Sequence, residues 1–178
     1  MHTEIHPALK PAFEEIIENR MSAPDAPRIT VRGYTQCGKT ELLLHLKEFY
    51  ESNGHKVVYL DCQEFRDNDH LGFKLLAEQL GMKHESVDYC DLTFNLGRLF
   101  SLDPERSTFS RERHCIVLLD ESVVASNFFL GWLRAQALDR NLGIIMVEHV
   151  GQDRQTDSLG SPLENILGHI IALDKRIR

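Results

Sequence analysis

Residues Gly33–Thr40 read GYTQCGKT, which fits the spacing G-x-x-x-x-G-K-[ST] of a phosphate-binding P-loop. The pattern constrains the fold because it works only between a strand and a helix. A polyphosphate is dense negative charge, so the backbone must approach closely enough to aim several N–H groups at it. Gly33 and Gly38 are expected to permit that approach, having no side chain and tolerating unusual dihedrals. The N-terminus of the following helix adds its dipole and its unpaired N–H groups. Lys39 is expected to reach the terminal phosphates, and the Thr40 hydroxyl to ligate Mg²⁺. Tyr34, Thr35, Gln36 and Cys37 within the loop, and Glu41 just after it, complete the candidate nucleotide-binding set.

The flanks supply the required setting. Arg28-Ile29-Thr30-Val31-Arg32 alternates polar and apolar residues and reads as a strand. Glu41-Leu42-Leu43-Leu44-His45-Leu46-Lys47 reads as a helix. The 178 residues suggest a single domain, long enough to bury a core without disulfides or metals. The net charge of −7 argues against a general nucleic-acid-binding surface, while leaving room for a local basic patch. No apolar run reaches membrane-spanning length, and the N-terminus, with His2, Glu4 and His6, lacks the pattern of a signal peptide. The expected location is therefore cytoplasmic, with no membrane partner.

Four cysteines are present, with no C-x-x-C pair and no zinc spacing. Cys62 and Cys115 sit in strand-like apolar contexts and are expected to be buried. Cys37 lies in the loop near a helix N-terminus. It reads either as a tolerated small residue or as a redox-sensitive thiol beside a nucleotide.

The chain divides into an N-terminal helix and linker (1–27), a core (28–173) and a short tail (174–178). Pro7 to Arg20 places Leu9, Phe13, Ile16 and Ile17 at helical spacing, and SAPDAP (22–27) reads as a loop. After the loop helix, Asn53-Gly54 marks a stop, and a buried strand within His55 to Phe65 ends near Asp61. Asp61, at the strand's carboxyl end, could touch the metal shell or a partner, but the expected role is to cap the next turn. Helices follow over Asp69 to Leu80, closed by Gly81, and over Tyr89 to Phe100, with a polar loop from Ser101 to Glu112. A helix over Ser126 to Arg140 precedes a buried strand over Asn141 to His149. A short helix over Pro162 to Gly168 then leads to a fifth strand, His169 to Leu173.

His114 to Asp120, HCIVLLD, is the strongest strand signal and ends in Asp120-Glu121. An apolar run is what a central parallel strand, buried on both faces, requires. The run and its two carboxylates look like a Walker B motif. In that reading Asp120 holds Mg²⁺ and Glu121 polarises the attacking water.

With GYTQCGKT, CIVLLDES and GIIMVEH in this order, the chain resembles the P-loop ATPases that carry a catalytic glutamate after the Walker B aspartate. Among them it is most similar to the AAA-type core, particularly that of replication-initiator and transposition-type AAA ATPases. The resemblance implies a three-layer αβα P-loop fold with a five-stranded, mainly parallel sheet, and ATP with Mg²⁺ as ligands. The absence of an Asn/Thr-Lys-x-Asp motif supports ATP over GTP. It implies that the N-terminal helix packs beside the nucleotide base; helical periodicity alone would equally suit a helix that only covers the sheet. It places a γ-phosphate sensor at the end of the fourth strand, where Glu148 and His149 stand. His149 is the better sensor because an imidazole donates, whereas Glu148 would repel phosphate.

Two features depart from the family pattern. The family's arginine before the fifth strand has no counterpart in ENILGHIIAL, leaving Arg154, Arg134 and Arg140 as candidates. The helical lid with its second sensor is also missing after the fifth strand. The resemblance therefore implies a slowly hydrolysing switch or motor that binds ATP and ADP and acts with a protein partner or as a homo-oligomer. Nucleic acid is a partner the net charge does not favour. A nucleotide-dependent scaffold that does not turn over and a small P-loop kinase remain open. An ABC-type ATPase is disfavoured because no L-S-G-G-type signature precedes Asp120.

Overall fold

The structure, a computed structural model, describes residues 4–21, 26–82, 89–100, 114–137, 142–149 and 169–173. The expected Ser101 to Glu112 loop, the Pro162 to Gly168 helix, the 174–178 tail, Arg140 and Arg154 lie outside these residues.

Alternating strands and helices give a parallel α/β sheet. In chain order the elements are α1 (Lys10–Met21), β1 (Arg28–Gly33), α2 (Lys39–Ser52), β2 (Lys56–Asp61), α3 (Asp69–Gln79), α4 (Tyr89–Leu99), β3 (Cys115–Asp120), α5 (Asn127–Ala137), β4 (Leu142–His149) and β5 (His169–Leu173). Short 3-10 turns follow β2 (Cys62–Phe65) and β3 (Ser122–Val124). The strands lie in the order β2-β3-β4-β1-β5, and every pairing is parallel. The chain leaves β1, passes over two places to start β2 at the far edge, and returns through β3 and β4 to the other side of β1. The expected three-layer αβα architecture is the observed one.

The layers follow from strand alternation. Val57, Ile116, Leu118, Ile145, Ile29, Val31 and Ile171 point to one face, where they pack with Leu9, just before α1, with Ile16 of α1 and with Leu42, Leu43 and Leu46 of α2. Val58, Leu60, Val117, Leu119, Ile144 and Met146 point to the other, against Phe73 and Leu76 of α3, Leu92 and Leu96 of α4, and Leu130 and Leu133 of α5. All six β3 residues are buried, as a strand covered on both faces must be. Each fully buried Leu or Ile there contributes roughly 2 kcal/mol of transfer free energy. Cys62 and Cys115 belong to this core, as expected, and burial pushes the Cys115 thiol well above its ordinary range.

Local signals set the element ends. Gly54 after α2 (φ 81°) and Gly81 after α3 (φ 78°) adopt left-handed conformations that favour glycine. The Asp61 carboxylate accepts from Gln63 N at 2.9 Å and caps the first 3-10 turn. Asn68 caps α3 by accepting from Leu71 N at 3.1 Å. A cluster of rings, Phe65–Phe129 and Phe73–Phe129 at 4.9 Å and Phe73–Trp132 at 5.0 Å, fixes that turn and α3 to α5.

Candidate functional site

Parallel strands all deliver their carboxyl ends to one edge, the usual ligand crevice of an open α/β sheet. Here the register is specific. Gly33 pairs with His149 and Arg32 with Glu148, while Asp61 pairs with Asp120. The start of the glycine loop, the acidic strand end and the fourth strand end therefore meet at one edge.

The loop's two glycines serve different needs. Gly38 is left-handed (φ 81°) immediately before α2, a conformation that favours glycine. Gly33 is not left-handed; its constraint is packing. A Cβ there would collide with Cys37 Sγ and lie 3.1 Å from Leu173 Cβ and 3.2 Å from the Leu173 carbonyl oxygen. Part of the freedom expected of Gly33 thus falls instead on Gln36, which is left-handed (φ 64°) despite its side chain. Tyr34, Thr35 and Gln36 are exposed, whereas Cys37 is buried. Glu41, in the first turn of α2, faces His45 at 3.8 Å.

The Lys39 ammonium is buried and folded onto its own loop. It donates to the Tyr34 carbonyl at 2.8 Å and the Gly33 carbonyl at 3.2 Å, lies 3.8 Å from Cys37 Sγ, and reaches His149 Nδ1 at 3.3 Å. An ammonium has only donors, so Nδ1 accepts. The opposite ring nitrogen, Nε2, then carries the hydrogen and donates to Glu121 Oε1 at 2.8 Å. One imidazole thus connects the loop lysine to the glutamate after the acidic strand. Glu121 turns towards it because its backbone is left-handed (φ 50°), and Ser122 anchors the same turn by donating to the Val147 carbonyl of β4 at 2.8 Å. A non-glycine residue in that region is uncommon and is found where surrounding structure enforces it.

Asp120 gathers three donors. Thr40 Oγ1 donates to its Oδ2 at 2.7 Å, Tyr59 OH donates to the same oxygen at 2.8 Å, and Glu121 N donates to Oδ1 at 3.0 Å. Burial and the Asp120 carboxylate together hold the Tyr59 phenol well above its ordinary range, so it remains a donor. Glu148 turns away from this group and accepts from Arg32 Nε at 3.0 Å. Of the two residues at the β4 end, His149 is the one inside the site.

The structure thus brings together Lys39, Thr40, Asp120, Glu121 and His149. It also shows one residue the motifs do not contain, Tyr59, whose only signal is a tyrosine two places before Asp61 on a strand that proves to neighbour β3. Arg134 lies in the last turn of α5, which runs back towards the amino-terminal edge, so it stands away from the site. Beside the loop, α1 covers the sheet and also forms one wall of a cleft of about 390 Å³, lined by Pro7, Leu9 and Glu15 on its side and by Cys37, Ile171 and Leu173 opposite. Among the described residues no helix is long and apolar enough to cross a membrane.

The donor set suits a nucleotide with Mg²⁺. A hydroxyl and a carboxylate converge at 2.7 Å, and a buried ammonium sits on neutral carbonyls it can exchange for phosphate oxygens.

No protein-family model matches the chain, and no curated protein is similar to it. Solved structures do match in fold. Cdc6p from Pyrobaculum aerophilum superposes with a TM-score of 0.72 at 18% identity, covering 97% of this chain and 47% of that one. The ORC2 protein of Aeropyrum pernix, solved in ADPNP and ADP complexes, gives 0.66 at 15% identity, with 98% and 50% coverage. DnaA from Aquifex aeolicus, solved with AMPPCP, gives 0.55 at 16%, with 96% and 48%. The chain spans about half the length of these proteins and shares their fold over that span.

Proposed function

We propose, from a fold shared with replication-initiator ATPases, that this chain binds ATP with Mg²⁺ and hydrolyses it slowly, as a nucleotide-dependent switch. The observation that carries the reading is the continuous connection Lys39–His149–Glu121 beside the Thr40–Asp120 pair, where the start of α2 meets the ends of β3 and β4. Structures of the same fold were solved with AMPPCP and with ADP, which favours an adenine nucleotide. The cleft between α1 and β5 is the proposed place of the base, beside the loop at Cys37.

Each residue has a distinct part. Lys39 trades its loop carbonyls for phosphate oxygens. Thr40 and Asp120 hold Mg²⁺, which when bound neutralises charge on the phosphates. Gly33 to Glu41 surround the phosphates with backbone. Glu121 orients the attacking water and accepts its proton. His149, losing the Lys39 contact when that ammonium moves to phosphate, is free to donate to the γ-phosphate and release Glu121. Phosphate arrival is thereby coupled to the freeing of the base.

ENILGHIIAL carries no arginine before the fifth strand, which favours slow turnover, or turnover completed by an arginine from a protein partner or a second copy of the chain. A scaffold that binds without hydrolysing is the second reading this favours. The binding half is tested by calorimetry with ATP and Mg²⁺. Wild-type protein should bind ATP in preference to GTP, and Lys39→Ala should bind ATP about 10- to 100-fold more weakly, the worth of a charge-assisted contact of roughly 1.5–3 kcal/mol. Equal binding of ATP by both proteins would refute the site.

A further inference from the structure

Of the three donors to Asp120, two belong to the motifs that define the site. The third, Tyr59, comes from β2, outside both motifs. The sheet register explains its reach. Tyr59 pairs with Leu118 and Asp61 with Asp120, so Tyr59 and Asp120 share a face and are diagonal neighbours. A diagonal cross-strand neighbour is within range of an aromatic side chain.

Tyr59 is itself held. Its backbone N–H donates to Gln79 Oε1 at 2.9 Å and its carbonyl accepts from Gln79 Nε2 at 2.6 Å. The side-chain amide of α3 stands in for a neighbouring strand along the sheet's edge and fixes β2 at this residue. The phenol O–H lies 2.8 Å from Asp120 Oδ2, and a carboxylate only accepts, so the phenol donates towards Asp120. Thr40, the other donor to the same oxygen, sits at the start of the loop helix. Tyr59 approaches from the neighbouring strand, β2.

We propose that Tyr59 is the positioning residue of the magnesium site: its hydroxyl sets the orientation in which Asp120 presents its carboxylate to the ion. The inference rests on the reading of Asp120 as a magnesium ligand. A neutral phenol removes little of the carboxylate's charge but fixes its rotation. Losing it therefore weakens Mg²⁺ binding through orientation more than it strengthens it through charge.

The test is ATP binding by calorimetry, over a MgCl₂ series and in EDTA, with wild type, Tyr59→Phe and Asp120→Asn. Tyr59→Phe keeps the ring and its packing. It should raise the Mg²⁺ concentration needed for half of the magnesium-dependent gain in ATP affinity by about tenfold, the scale of one hydrogen bond to a charged group. Its ATP affinity in EDTA should equal that of wild type. Asp120→Asn should lose the magnesium-dependent gain. If Tyr59→Phe matches wild type throughout while Asp120→Asn loses the gain, the positioning role is overturned and the magnesium reading stands. If Tyr59→Phe also weakens binding in EDTA, its role is structural at large and the inference is overturned. If wild type gains nothing from Mg²⁺, or Asp120→Asn gains as much as wild type, the magnesium reading falls and the inference with it.

Discussion

Replacing Gly33 with alanine tests whether this glycine is required by packing or by its ligand. A Cβ at this position would meet Cys37 Sγ at a distance no pair of atoms tolerates, with Leu173 at 3.1 and 3.2 Å behind it. Forcing a methyl into such a site costs about 1–3 kcal/mol. A loss near 2 kcal/mol lowers the melting temperature by roughly 4–8 °C in a chain of this length. The sulfur is the nearest obstacle, so removing it should relieve most of the collision. Cys37→Ala alone should cost about 1 kcal/mol through lost burial. In that background Gly33→Ala should cost about 1 kcal/mol less than in wild type, the remainder being the Leu173 contact. Urea denaturation of the four proteins, without nucleotide, gives the coupling energy. Additivity within about 0.5 kcal/mol would refute the steric account and return Gly33 to a purely ligand-facing role.

Gln36→Gly should stabilise the protein by about 1 kcal/mol, because the left-handed backbone at φ 64° costs a side-chain-bearing residue about that much; thermal melting checks the sign. Asn68→Ala should cost about 1 kcal/mol through the lost cap on Leu71 N, read by urea denaturation. Burial raises the Cys115 thiol in the folded state, so the neutral form is favoured there. Its contribution is whole below the unfolded thiol's ordinary value of 9.0 and is lost as pH climbs beyond it towards the folded value. Stability should therefore fall above about pH 9, with a shallower slope in Cys115→Ala. An equal slope in both would contradict the assignment.

Much of this arrangement is legible along the chain because it depends on local spacing. GYTQCGKT fixes a strand, a loop and a helix. The run CIVLLD is apolar throughout, and the structure buries it on both faces. Asp61 and Gly81 mark the ends they were expected to mark. At the end of β4, Glu148 turns to Arg32 while His149 faces Lys39 and Glu121. What the sequence does not carry is pairing between distant segments. Tyr59 meets Asp120 only because β3 inserts beside β2, and Gly33 is confined by Leu173 of the fifth strand, far along the chain. The left-handed turn at Glu121 is hidden for a related reason. Its anchor is the Ser122 bond to a β4 carbonyl, and no local signal favours it.

The central claim is that Glu121, freed from His149, drives ATP hydrolysis at this site. Steady-state ATP hydrolysis should be measured over a protein concentration series, beside Glu121→Gln, with ATP binding followed in parallel. The account predicts slow turnover in wild type, reduced about 10²- to 10⁴-fold in Glu121→Gln while ATP binding is retained. A rate per molecule that rises with protein concentration would place part of the site on a second copy. Equal turnover in both proteins, or tight ATP binding with no turnover in either, would contradict the claim.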